Sequence, residues 1–547
     1  MTHFDYIVIG GGSAGCSVAG KLVQEKDLKI LVLEGGHSNH HPLLDMPPGI
    51  FKMINGSKFM HYHHTLPQEH LEGRVHDIPQ GNVLGGGSSV NAQVYMRGRP
   101  SDYDEWDQLL HTDNDYPGWS WKDVLPVFRD MEGNNRFLNE FHDASGPLLV
   151  SDPGYIDDLS KWFVQSVQSL GEPFNSDFNG ANQRGVGYYQ FTNRMGKRSS
   201  SYYAFLEPFK HQKNLEIRLH SRVQKIIIHN NRAHGVIFKN KSGKLETVYA
   251  DREIILTAGA LISPKILMLS GVGPAPHLQE HGITCINDLK GVGQNLIDHP
   301  EVPMTAFTNG PYGYFKQGSG LRMIKNGLQF ILFGSGPILS AGVEAGAFIN
   351  PIDRQGVPSI QAFCVPIVYL DRDSVGAVKD GYGITITTVI VKPKSRGYVK
   401  LRSPNPDDMP LVSPNLLADP DDMALMIAAQ RFFLDAFKTA PLSGRIDHIE
   451  IPSGDHQSEH NLKQHCKKFV KTNYHPSGTC RMGPPGDEFA VLDSRFRVRG
   501  IDGLRICDLS AMPNINAGNT NAPAMMLGAR CASCLLYTSD AADDTPC

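Results

Sequence analysis

The chain has 547 residues and a mass of 60.2 kDa, too long for one compact core, so two or more domains are expected. With 40% hydrophobic and 20% charged residues it is globular rather than disordered, and a formal charge of −4 offers nucleic acid no basic footprint. Nine irregularly spaced cysteines, no run near the ~20 apolar residues of a membrane span, and an N-terminus without a signal-peptide pattern point to a reducing, cytoplasmic setting, with peripheral membrane contact left open.

Residues 6–9 (YIVI) form a short apolar run that reads as a buried parallel strand. Gly10, Gly12 and Gly15 follow in GxGxxG spacing, with Ser13 and Ala14 between them. A helical pattern covers residues 16–25, and a second buried strand at 29–33 ends on Glu34. This is one complete right-handed βαβ unit. Its glycines suit a tight turn, close approach of a diphosphate to the backbone, and close packing of helix on strand. The helix N-terminus then faces the diphosphate. Glu34, nineteen residues past Gly15, is placed to accept hydrogen bonds from a ribose diol.

A second Gly/Ser loop spans residues 81–91, with Val83, Gly86, Ser88 and Asn91 in it, and a third spans 259–273. Between them, residues 214–220 and 223–229 alternate as strands, and 252–257 reads as a buried strand. A Pro/Gly-rich patch at 291–300 marks a domain crossing. Beyond it, alternating runs such as 382–390 suggest a second, largely antiparallel sheet.

Together the N-terminal βαβ unit and these two later loops resemble the signature segments of the glucose–methanol–choline (GMC) oxidoreductases, a family of FAD-dependent alcohol oxidases and dehydrogenases. The resemblance continues through residues 291–299, 394–401, 474–483 and 518–523, in the family's order over nearly the whole chain. It implies an α/β fold: a Rossmann-type FAD-binding domain with a parallel central sheet, and a substrate domain with a mainly antiparallel sheet and flanking helices. The FAD domain is expected over 1–155, 195–305 and 468–533, and the substrate domain over 156–194 and 306–467. The closest likeness is to the alcohol and choline dehydrogenase branch, whose members oxidise primary alcohols to aldehydes and pass electrons to an acceptor, quinone or oxygen.

Laid on this chain, the resemblance implies that Val83, Asn91, Ala92, Gln93 and Val94 line the isoalloxazine. Gly86 and Ser88 belong to the same loop. Val223 meets the adenine through its backbone, and Asp508 is the late cofactor-contacting acid. Val90 stands where some relatives carry a His bonded covalently to FAD; valine has no nucleophilic atom, so FAD is held non-covalently.

Alcohol oxidation needs a base for the hydroxyl proton while hydride passes to flavin N5. His475 matches the family's catalytic motif, and histidine is the side chain that titrates nearest the operating pH. Asn519 is expected to hydrogen-bond the alcohol oxygen and fits that role better than Asn521, which with Asn519 contacts the cofactor. Pro523 suits the first turn of a helix whose N-terminus faces the reduced flavin. Alternatives on the same fold are a hydroxynitrile lyase and a non-redox FAD-binding protein. His61, Tyr62, His63 and His64 lack the partners of a metal site and read as a loop or pocket rim. Glu344 is either a substrate-facing carboxylate or a partly solvated structural one. Residues 534–547 resemble one reading frame of a sequencing adapter. They are expected to be a non-native tail that does not continue the preceding helix, which leaves the pair Cys531 and Cys534 without redox meaning.

Overall fold

Strand β1 (Thr2–Ile9), helix α1 (Ser13–Leu22) and strand β2 (Ile30–Leu33) build the βαβ unit in a computed structural model that describes residues 2–113, 115–370 and 378–543, excepting the side chains of 538–543. Both strands are apolar because both faces are covered: Ile7, Val8, Leu31 and Val32 are fully buried. β1 pairs in parallel with β2 on one side and with Leu245–Leu256 on the other. Leu215–Arg218 extends the parallel core beyond β2, and Leu504–Ile506 joins it beside Leu245–Leu256. Arg232–Lys239 and Arg222–His229 then continue the sheet antiparallel. The expected parallel sheet is thus a five-stranded parallel core with a two-stranded antiparallel extension.

The second sheet is antiparallel throughout. Its order is Ile446–Ile451, Pro300–Thr308, Gly383–Ile390, Ile360–Val365, Ala345–Ile349 and Gly185–Tyr188, with Lys471–Thr472 also paired to Pro300–Thr308. Period-two alternation sorts its side chains. Ile360, Ala362, Cys364, Ile384 and Ile386 belong to the core beneath helices Asp158–Ser169 and Pro420–Lys438. Gln361, Phe363, Val365 and Thr387 point the other way, toward the FAD domain. The strand Pro300–Thr308 runs through the expected 305/306 boundary.

The C-terminal helix spans Asn521–Asp543. It packs along α1, and Gly528 is essential to the fit: a Cβ there would lie 2.4 Å from Ala14 O. The expectation that the helix stops near Cys534 is not met. Cys534 and Leu535 are buried, so the apolar stripe runs on past that point. All eight described cysteines are free thiols. Residues 544–547 of the expected tail lie outside the described residues.

Candidate active site

One cavity of about 460 Å³ runs between the two sheets. Its nucleotide end is made by the βαβ unit. Gly10 has φ +102°, and a Cβ there would sit 2.6 Å from Thr257 O. A Cβ on Gly15 would lie 2.0 Å from Gly10 O, so Gly15 sits behind the cavity and locks helix to strand. Gly12, Ser13 and Ala14 line the cavity, as do Gly86 and Gly87 from the second loop. Glu34 also lines it, its carboxylate accepting from Gly11 N at 2.8 Å and Gly36 N at 2.7 Å, with burial raising its pKa. Val223 lines the same end, at a point where its strand ladder skips Gln224.

Two helix N-termini converge here. Ser13 Oγ donates to Asn521 Oδ1 at 2.8 Å, and Ser17 Oγ donates to Met525 O at 2.9 Å. Thr520, Asn521 and Ala524 face the cavity, so the first turn of the C-terminal helix presents its free N–H groups there. Asp508 lines the wall and accepts from Gly259 N, Ser263 Oγ and Ser510 N at 2.6–2.8 Å, tying the third glycine loop in place.

The other end holds the chemistry. His475 and Asn519 line it with Asn91, Ala92, Gln93, Val94, Phe363, Val365, Thr387 and Asn473. Tyr474, with φ +64°, turns the chain so that His475 enters the wall. The backbone N–H of His475 donates to Asp298 Oδ1 at 3.0 Å, and Thr472 hydroxyl donates to the other oxygen of the same carboxylate. Burial pushes Asp298 up to about 7.

The proton positions follow from the acceptors. His299 is fully buried, and its Nε2 lies 3.0 Å from Val391 O and 3.1 Å from Asn516 O. Carbonyls only accept, so Nε2 carries the hydrogen and Nδ1 is bare. That bare nitrogen lies 3.0 Å from His475 Nδ1, which must therefore donate. His475 is left with its hydrogen on Nδ1 and a lone pair on Nε2. Burial, then the neighbouring His299 and Lys471, hold its pKa well below the usual histidine value, so the ring stays neutral. Asn519 is oriented by the same logic. Tyr189 OH donates to Ala362 O at 2.9 Å, so it accepts from Gln361 Nε2 at 3.3 Å. Gln361 Nε2 also donates to Asn519 Oδ1 at 3.1 Å, which leaves the Asn519 amide hydrogens as donors. The wall thus offers one acceptor and one donor, the pair an alcohol hydroxyl requires.

Other expectations change. Val83 and Ser88 do not line the cavity. Val83 bridges to His37 in the core behind the loop, and Ser88 is turned to Gly85 O at 2.6 Å and Ser201. Val90 does line the cavity and brings no nucleophile. His61–His64 belong to a strand, Met60–His64, rather than a loop; His61 and His63 reach the cavity, and no metal-type cluster occurs among the described residues. Glu344 is fully buried, not partly solvated, and is bound by Ser160 at 2.9 Å, Ser340 and Tyr314 away from the cavity. Sequence reasoning missed His299, Gln361 and the buried ion pair of Lys471 with Glu301 at 2.8 Å, both of which line the cavity.

The cavity fits an extended polar ligand. Among the described residues, four buried polar atoms on its wall have no partner: His63 Nδ1, Gln93 Nε2, Thr387 Oγ1 and Asn473 Nδ2. A Cβ on Gly87 or Gly259 would meet nothing within 4 Å, so bare backbone faces the cavity at both. A glycine-turn cradle that opens onto a neutral histidine and an amide donor fits a dinucleotide-dependent oxidoreductase of the Rossmann type.

The comparisons make this specific. The GMC oxidoreductase profile matches residues 4–301 and its C-terminal counterpart matches 393–528. The chain belongs to the GMC oxidoreductase family. It is 37% identical over 545 residues to alcohol dehydrogenase [acceptor] of Pseudomonas putida, covering 98% of this chain and 97% of that one. It is 34% identical over 541 residues to mitochondrial choline dehydrogenase of Homo sapiens, covering 97% and 89%. The structure of pyridoxine 4-oxidase from Mesorbium loti superposes with a TM-score of 0.87 at 28% identity, covering 98% and 99%. The chain is an FAD-dependent oxidoreductase acting on CH–OH donors.

Proposed function

We propose that the protein oxidises an uncharged primary alcohol to the aldehyde, with His475 as base and Asn519 as donor to the alcohol oxygen. The observation that carries this is the pair of fixed polarities: a lone pair on His475 Nε2 and N–H donors on Asn519, on one cavity wall. His475 takes the hydroxyl proton, and the Asn519 amide stabilises the negative oxygen that results. FAD, when bound, supplies the hydride acceptor. Gly12, Ser13, Ala14, Gly86 and Glu34 would hold its nucleotide part, and Asn91, Ala92, Gln93 and Val94 would support the ring.

The substrate end favours an uncharged molecule. Ile50, Phe51, Ile54, Ala341 and Val343 give it an apolar wall. The carboxylate beside it, Glu301, is already neutralised by Lys471. Among the described residues, a quaternary ammonium alcohol such as choline would meet no uncompensated anion there. The electron acceptor would be a quinone or oxygen. The test follows flavin bleaching under anaerobic addition of a primary alcohol series, with dye reduction and peroxide read in parallel. Bleaching by uncharged alcohols is the expected result. A flavin left oxidised by every alcohol overturns the reading.

A further inference from the structure

We propose that the helix Gly320–Phe333, here α2, docks on the surface of an anionic lipid bilayer. This helix is anomalous in a folded protein. Of its fourteen residues only Asn326 is buried. Seven of the seventeen exposed large apolar side chains among the described residues lie on it: Leu321, Met323, Ile324, Leu328, Ile331, Leu332 and Phe333. Leu321 is 84% exposed, and Ile331 and Phe333 are each 76% exposed.

Helical geometry organises these side chains. At 3.6 residues per turn, Leu321, Ile324, Leu328, Ile331 and Leu332 fall within an arc of about 100°. The opposite side is the anchored one. Asn326 donates to Gln317 O at 3.0 Å, and Phe330 packs where a Cβ on Gly196 would lie 2.8 Å from its ring. Next to that glycine, Met195 is 89% exposed. A patch this concentrated calls for a partner.

Charge selects a lipid surface. No Asp or Glu occurs between Glu301 and Glu344, whereas Lys316, Arg322 and Lys325 do. A cationic apolar face repels its own copy but suits anionic headgroups above acyl chains. The helix is about 21 Å long and lies along the interface rather than across it. No helix of the described residues is long and apolar enough to cross a membrane.

Docking there would also serve the site. After the helix, the turn Pro337–Leu339 packs on Pro47–Gly49. The residues next in each segment, Ile50, Phe51, Ala341 and Val343, form the apolar wall of the cavity. A lipid-dissolved alcohol or quinone thus approaches the cavity from the bilayer side.

The experiment is vesicle flotation of the full FAD-loaded chain, with phosphatidylcholine alone or mixed with phosphatidylglycerol. The chain is expected to float with the mixed vesicles and to bind less at high salt. The double variant Leu328→Glu, Ile331→Glu is expected to lose about tenfold or more in partitioning. Its dye-linked turnover in solution should stay unchanged, which shows that it is folded and keeps this test separate from the catalytic reading. Arg322→Glu with Lys325→Glu should weaken binding to the mixed vesicles only. A chain that stays in the aqueous fraction with both vesicles, or a double variant that floats like the parent, overturns the proposal. So does a concentration-dependent dimer that the double variant abolishes.

Discussion

The substitution His299→Gln isolates the fixing of the catalytic tautomer. Glutamine places its Nε2 near the position of the histidine Nε2, so Val391 O and Asn516 O keep a donor. It has no atom where Nδ1 was, and the 3.0 Å acceptor for His475 is gone. A buried N–H left unpaired costs about 1–3 kcal/mol, and each 1.36 kcal/mol is tenfold in rate, so kcat/KM should fall about 5- to 150-fold. The pH profile supplies a second readout. His299 helps hold the His475 pKa down, so its removal moves the acid limb to higher pH, short of the ordinary value because burial remains the larger cause. The assay is steady-state dye reduction from about pH 5 to 9, spanning the ordinary histidine value, with flavin content measured alongside. A variant with full flavin content, kcat/KM within about twofold of the parent and an unmoved acid limb refutes the assignment, since the lost hydrogen bond was worth more than that.

His475→Ala should retain FAD and lose about 10²- to 10⁴-fold in kcat, checked by single-turnover flavin reduction. In the parent, a depressed His475 pKa means that activity persists as pH falls through the ordinary histidine value and is lost only below it. Lys471→Met removes the ammonium paired with Glu301 on the cavity wall, and with it one positive charge. The ratio of kcat/KM for choline over that for an uncharged primary alcohol should rise by about 30-fold, the equivalent of about 2 kcal/mol. Gly15→Ala drives a Cβ to 2.0 Å from Gly10 O. The overpacking should cost about 1–3 kcal/mol in denaturant unfolding, together with flavin retention on gel filtration.

The parts legible in the sequence are those with short-range causes. The βαβ unit is written in apolar runs around a glycine turn, and the antiparallel sheet in alternation. Asn519 and Asn521 are separable in principle by offset from the helix start, and their contacts keep them apart, one on Gln361 and the other on Ser13. What escaped is tertiary. His299 meets His475 across 176 residues, and no local pattern marks that meeting. Glu344 reads as surface chemistry because its hydroxyl partners, Ser160 and Tyr314, come from elsewhere in the chain. Val83 and Ser88 share a loop with Gly86, but a tight coil turns only some of its residues to the cavity, and spacing alone does not say which. The helix past Cys534 escaped because the composition changes there while burial of Leu535 does not.

The meeting of α1 with the helix Asn521–Asp543 also bears on biosynthesis. Ser13 and Asn521 are separated by 508 residues, yet they bond to each other at the mouth of the nucleotide cradle. A ribosome releases the first half of that cradle long before the second exists. The nascent chain therefore carries its opening strands and glycine turn as an unfinished half-site through most of translation. A chain cut short before residue 521 lacks the partner that Ser13 bonds at that mouth.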